Sequence, residues 1–136
     1  MTMHFRHKAV MGLVCMVLLI FGTLYQVNQG ETYFLVEWLQ HVPNGDKIGH
    51  LMIFGVLTFM LNLTLLGKSV RLGVPGVKKG VQVNLALLLV GLFAVTEEFS
   101  QLYIASRNFD FMDLGCDAVG MAVFYLLSKR VLDKTV

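Results

Sequence analysis

Charge is what this chain has least of. Of its 136 residues, 15% are Asp, Glu, Lys or Arg, against 56% apolar. So little polar surface cannot cover a soluble globule of this length, which places the chain in the membrane class. Proline is almost missing too, at two residues, and leaves the apolar runs largely uninterrupted. Cysteine occurs only as Cys15 and Cys116, both inside apolar runs and at different depths. A structural disulfide is therefore not expected, and each reads as a small buried hydrophobe. Also absent are a Ser/His/Asp pattern, zinc-ligand spacing and a phosphate loop, so no familiar catalytic motif assigns a reaction. No internal repeat, low-complexity tract or linker divides residues 1–136, and a single domain is expected. A net charge of +2 says little by itself, and no nucleic-acid partner is expected.

What the chain does have is long apolar runs. His4, Arg6, His7 and Lys8 precede the run Ala9–Tyr25. No small-x-small cleavage site follows it, and no small residue stands before Cys15 as a lipoprotein signal needs, so it reads as a retained first span. Further spans are expected at about 48–66, 81–103 and 111–127, each near the ~20 residues that cross a bilayer. The fold class expected is all-α, an integral membrane bundle of four transmembrane helices. Between the first two spans, Phe34, Leu35, Trp38, Leu39 and Val42 recur at helical spacing, with Glu31, Glu37, Gln40 and His41 polar. That pattern predicts a short interfacial helix, with a loop packed over the bundle as the alternative. Pro43-Asn44-Gly45 is a turn signal. Asn62 and Thr64 are expected to hydrogen-bond a neighbouring helix, and residues 67–80 to form a loop.

Four spans put the N-terminus, the 67–80 loop and the C-terminus on one side. Their cations are Arg6, Lys8, Lys68, Arg71, Lys78, Lys79, Lys129, Arg130 and Lys134, with Asp133 as the one acid. The other side receives Lys47, Arg107 and the remaining carboxylates. By the positive-inside rule both termini are expected in the cytoplasm.

Every unusual polar residue then falls at the outer end of a span. Asp46, Lys47 and His50 open the second, Glu97, Glu98 and Gln101 close the third, and Arg107 precedes the stripe Asp110, Asp113 and Asp117 in the fourth. Residues i, i+3 and i+7 share one helix face, and carboxylates within a hydrocarbon-length helix mark a functional site by default. At ~1.5 Å per residue, Asp117 lies roughly 10 Å below Asp110 and His50 roughly 6 Å below Asp46, so these groups can share one cavity. Asp46 and Asp110 also stand where helix N-caps are wanted, and capping explains either equally well. Asp117 lies too far along its helix to cap it. Of the adjacent Glu97 and Glu98, at most one is expected to share the cavity with Gln101, and Glu98, three residues before it, is preferred.

The motifs Asp46-Lys-x-x-His50, Glu98-x-x-Gln101 and Arg107-x-x-Asp110-x-x-Asp113, ending in Gly120, resemble the signature of VanZ-like membrane proteins. The resemblance runs from about Asp46 to Gly120. One departure is Asp117, where the family pattern usually has asparagine three residues before the glycine. The resemblance implies a bacterial inner-membrane protein; the founding members are linked to low-level teicoplanin resistance.

Two functions are open on these residues. One is an enzyme or binder acting on an envelope lipid or cell-wall precursor. There Lys47, Arg107, Gln101, Asp46, Asp110 and Asp117 bind substrate, with Lys47 and Arg107 attracting a phosphate. Asp113 and Glu98 act as acid/base groups or hold a divalent cation such as magnesium, and His50 transfers protons. The other is a structural or partner-binding module in which the cluster is an ion-paired latch, Arg107 pairing with Asp110 or Asp113. Ion conduction ranks below both, because the inner halves of the helices are almost without polar groups.

Overall fold

In the computed structural model, residues 3–29, 37, 41–76, 78–104 and 108–135 are described. Four long helices dominate: α1 (Met3–Asn28), α2 (Gly45–Thr64), α3 (Leu85–Ser100, continued by a 3-10 turn, Gln101–Tyr103) and α4 (Phe111–Thr135). Each contains a stretch long and apolar enough to cross a membrane, at His7–Gln26, Gly45–Thr64, Leu85–Tyr103 and Phe111–Lys134. The chain is therefore a multi-pass membrane protein. The expected interfacial helix, with Phe34, Leu35, Trp38 and Leu39, lies outside the described residues. His41 Nδ1 lies 2.7 Å from the Glu37 carbonyl oxygen, four residues back.

The helix ends differ from the sequence expectation by a few residues, most clearly around the third and fourth spans. The loop after α2 is an antiparallel hairpin of β1 (Ser69–Leu72) and β2 (Val81–Asn84), with Ser69 opposite Asn84 and Leu72 opposite Val81. The third span accordingly starts at Leu85 and not at Val81. The reason is Asn84, whose extended backbone closes the strand while its side chain caps α3, accepting from the backbone N–H of Ala86 and Leu87 at 3.0 and 3.2 Å. Such a cap satisfies helix donors that have no intrahelical partner. The fourth helix also runs beyond residue 127, to Thr135.

α2 and α4 form the central pair, and their closeness rests on glycine. A Cβ on Gly120 would collide with the backbone carbonyl of Leu51, and one on Gly55 with the Phe124 ring. With no lipid-exclusion force to drive helices together, small residues at the contact let dispersion and polar contacts act at short range. α1 packs on α2, and α3 rests against both α2 and α4. The apolar centre comprises Ile20, Phe54, Leu57, Val90, Ala94 and Met121. Large apolar side chains point outward on every span, among them Leu18, Leu19, Phe21, Leu92, Phe111 and Leu126. In water this would be an aggregating surface; in a bilayer it faces hydrocarbon.

At the hairpin end, a buried amide network ties three elements together. Asn62 donates to Ser128 Oγ at 2.8 Å and accepts from Asn84 Nδ2 at 2.8 Å. Asn62 thus does the expected cross-helix bonding. Thr64 does not: its hydroxyl donates to the Met60 carbonyl in its own helix at 2.9 Å. A hydroxyl can satisfy itself one turn back, whereas an amide with both donor and acceptor atoms needs partners farther away.

Candidate functional site

The opposite end of the bundle collects the charged residues in two tiers. The upper tier surrounds Lys47, in the first turn of α2. Its Nζ lies 3.0 Å from Asp110 Oδ2, 3.2 Å from Asp113 Oδ1 and 3.3 Å from Asp46 Oδ2. An ammonium group has three hydrogens, and each is matched to one carboxylate. Arg107, the cation expected to pair with Asp110 or Asp113, lies outside the described residues; among the described residues Lys47 pairs with both.

The two candidate caps part company. α2 begins after Asn44, which adopts a left-handed backbone (φ 57°), so Asp46 is not its cap and stands in the first turn. That exposed position, near the positive end of the helix dipole, suits a carboxylate. Asp110 does cap α4: its Oδ1 accepts from the Met112 backbone N–H at 2.8 Å while its Oδ2 accepts from Lys47. Both donors, the amide first and the ammonium second, hold the Asp110 carboxyl below the ordinary aspartate range.

The lower tier is built on His50, one turn below Asp46. Its Nδ1 lies 3.0 Å from Asp117 Oδ1 and its Nε2 3.8 Å from Asp113 Oδ2. Asp113 therefore joins the tiers, one oxygen on Lys47 and the other toward His50. Asp113, Asp117, Glu97, Glu98 and Gln101 are all buried. The His50 ring stacks on Phe54 at 5.9 Å and 14°, and Phe54 in turn meets Phe93 at 5.7 Å. These rings form an apolar floor that separates the polar tiers from the bundle centre.

α3 supplies the remaining wall. Gln101 Nε2 lies 2.9 Å from Glu98 Oε2 and 3.2–3.3 Å from the two oxygens of Glu97. Glu98 Oε1 also accepts the Asp110 backbone N–H at 2.7 Å, pinning the end of α3 to the start of α4. The expectation that only one of the two glutamates joins Gln101 is thus corrected. Glu97 is four residues from Gln101 and Glu98 three, and both separations bring side chains together on a helix. The i, i+4 spacing of Glu97 and Gln101 was the signal that pointed to Glu97. His50, Glu97 and Glu98 bring one possible ligand atom each to within 4.8 Å of one another.

One atom of this site is an orphan. Asp117 Oδ2 is buried without a hydrogen-bond partner among the described residues. Asp117 also lines an apolar groove of about 410 Å³ between α3 and α4, whose other walls include Gly91, Val95, Ala118, Ala122 and Leu126. The groove thus runs along the two helices and meets the polar tiers at Asp117.

A family model described as VanZ/LLP1 matches residues 2–132, nearly the whole chain and well beyond the motif-bearing stretch. No curated protein and no solved structure matches it.

Proposed function

The chain belongs to the VanZ-like family, and from that premise we propose that it binds an envelope lipid or lipid-linked cell-wall precursor. The apolar chain lies in the groove between α3 and α4, and the polar headgroup meets the carboxylate–histidine tiers. The observation that carries this reading is the groove itself, apolar along its length and lined at its polar position by Asp117, one of whose oxygens is buried without a partner among the described residues. An acceptor without a donor is costly inside a membrane protein. A headgroup rich in O–H and N–H groups, such as an amino sugar or an amine, supplies donors for such an acceptor. Because the three hydrogens of Lys47 are matched to carboxylates, the headgroup is read by acceptors more than by a phosphate-binding lysine.

The membrane is the bacterial inner membrane and the site faces the periplasm in this reading. Its support is the concentration of Lys and Arg in the N-terminus, the hairpin segment and the C-terminus. A second reading, favoured by the three-way pairing of Lys47, is a latch that fastens α2 to α4 without binding anything. The two differ in what happens when the groove is filled. Ala118→Phe and Ala122→Phe project bulk into the groove from α4, at exposed positions that form none of the ion pairs. Mass spectrometry of lipid co-purified with the intact protein should show a several-fold loss in both variants at unchanged melting temperature. Unchanged lipid content sinks the lipid reading and leaves the latch.

A further inference from the structure

The hairpin between α2 and α3 has two unlike faces. Residues directly opposite each other in an antiparallel pair point to the same side of the sheet, and the sides alternate along each strand. The register therefore puts the pairs Val70–Val83 and Leu72–Val81 on one side, and Ser69–Asn84 and Arg71–Gln82 on the other. One face is wholly aliphatic and the other wholly polar. The base of the hairpin is tied to the bundle: buried Asn84 donates to Asn62 Oδ1, and the Leu85 backbone N–H donates to the Lys68 carbonyl at 2.8 Å. The aliphatic face is left open among the described residues. Leu72 is 37% exposed and Val81 43%, and Val74, just beyond β1, is 40% exposed.

A two-stranded ribbon is marginal in water unless its apolar face packs on something, so this face calls for a cover. Position and charge identify it. β2 passes into α3 with no residue between them, which holds the hairpin where a span leaves the hydrocarbon. Lys68, Arg71, Lys78 and Lys79 are all exposed, and the sequence has no Asp or Glu from Gly67 to Thr96. Cations beside an aliphatic face match a leaflet with anionic headgroups. The apolar side chains enter the acyl boundary, while Lys and Arg extend to the phosphates. The leaflet is favoured over an acidic protein partner because the spans already hold the hairpin at its surface.

We propose that the β1–β2 hairpin is an interfacial anchor, lying on the bilayer with Val70, Leu72, Val81 and Val83 in the acyl boundary and Lys68, Arg71, Lys78 and Lys79 on anionic phospholipid headgroups. The partner is the leaflet as a surface, not a single lipid held in a site. The inference is independent of the groove between α3 and α4 and of the acidic tiers, which stand at the opposite end of the bundle. Because Asn84 both closes β2 and caps α3, a hairpin fixed on the leaflet also fixes the depth at which α3 begins.

The experiment places the full chain in nanodiscs of phosphatidylcholine, or of an equal mixture with phosphatidylglycerol, with brominated acyl chains that quench tryptophan on contact. Trp38→Phe removes the one native tryptophan. Leu72→Trp then reports from the aliphatic face and Gln82→Trp from the polar face. In the anionic discs Leu72→Trp should emit to the blue of Gln82→Trp and be quenched several-fold more strongly by bromine. Omitting phosphatidylglycerol, or adding Lys78→Gln with Lys79→Gln, should weaken that quenching, since each cation near an anionic surface contributes about five-fold in affinity. Val81→Trp, on the same face, decides if Leu72→Trp does not fold. Equal bromine quenching from the two faces overturns the proposal. So does quenching of Leu72→Trp by aqueous acrylamide and not by bromine, which leaves the face in solvent. Shielding from both quenchers overturns it too and assigns the face to a second copy of the chain. Bromine quenching that is indifferent to phosphatidylglycerol and to the two lysines overturns the assignment to anionic headgroups.

Discussion

Asp110 performs two tasks that the sequence set against each other as alternatives. One oxygen caps α4 through Met112 N–H and the other accepts from Lys47, so capping and cluster membership coexist in one side chain. The consequence is a pH dependence with a definite sign. The folded carboxyl titrates below the ordinary range, so the unfolded chain takes up the proton first as pH falls. Its contribution is fully present above the ordinary aspartate pKa of ~3.9 and is lost as pH drops through the depressed folded value. Asp110→Asn keeps an acceptor for Met112 and removes the charge facing Lys47. The variant should melt close to wild type near pH 3 and below it near neutrality, so its melting temperature changes less across that range. Parallel wild-type and variant curves across the range would show that Lys47 is indifferent to Asp110.

At the scale of whole elements, the packing of α2 against α4 depends on Gly120, the residue that closes the last recognisable motif. A methyl group there meets the Leu51 backbone, which cannot rotate away as a side chain can. Gly115, on the same helix, has nothing within 4 Å of the corresponding position. Gly120→Ala should therefore cost on the order of 1–3 kcal/mol or more by overpacking. Gly115→Ala should be neutral or stabilise by up to ~1 kcal/mol, since helix-interior glycine is entropically costly. Thermal melting in detergent compares the two, and equal effects would remove the close-contact account. The same elements show what was legible beforehand. Four apolar runs and the Asp110, Asp113, Asp117 stripe declare themselves by length and period. The hairpin did not, because Val81-Gln82-Val83 abuts an apolar run without a break and only the Asn84 cap marks the join. Lys47 as the hub of the upper tier was hidden for another reason. The charge pattern names the available cations, but that Lys47 reaches Asp113 is decided by the closeness of α2 and α4, a tertiary fact resting on two glycines.

Across the whole molecule, polarity is divided between the ends of the bundle. One end carries the acidic tiers; the other carries the hairpin with Lys68, Arg71, Lys78 and Lys79 and the end of α4 with Lys129, Arg130 and Lys134. Between them the spans offer apolar side chains outward, so little in the middle of the molecule favours one orientation over its inverse. Orientation must then come from the cations flanking the spans, which resist transfer across the bilayer. The hairpin is the useful place to test this, because its four cations lie between α2 and α3 and outside the described ion pairs and hydrogen bonds of the acidic tiers. A reporter fused after Val136 should be active in a cytoplasmic format and silent in a periplasmic one. Replacing Lys68, Arg71, Lys78 and Lys79 together with Gln should produce a mixed population, because the flanks Arg6, Lys8, Lys129, Arg130 and Lys134 still favour the cytoplasm. Periplasmic activity from the unaltered protein would invert the molecule and put the acidic tiers on the cytoplasmic face. The lipid reading would then require a headgroup on that leaflet.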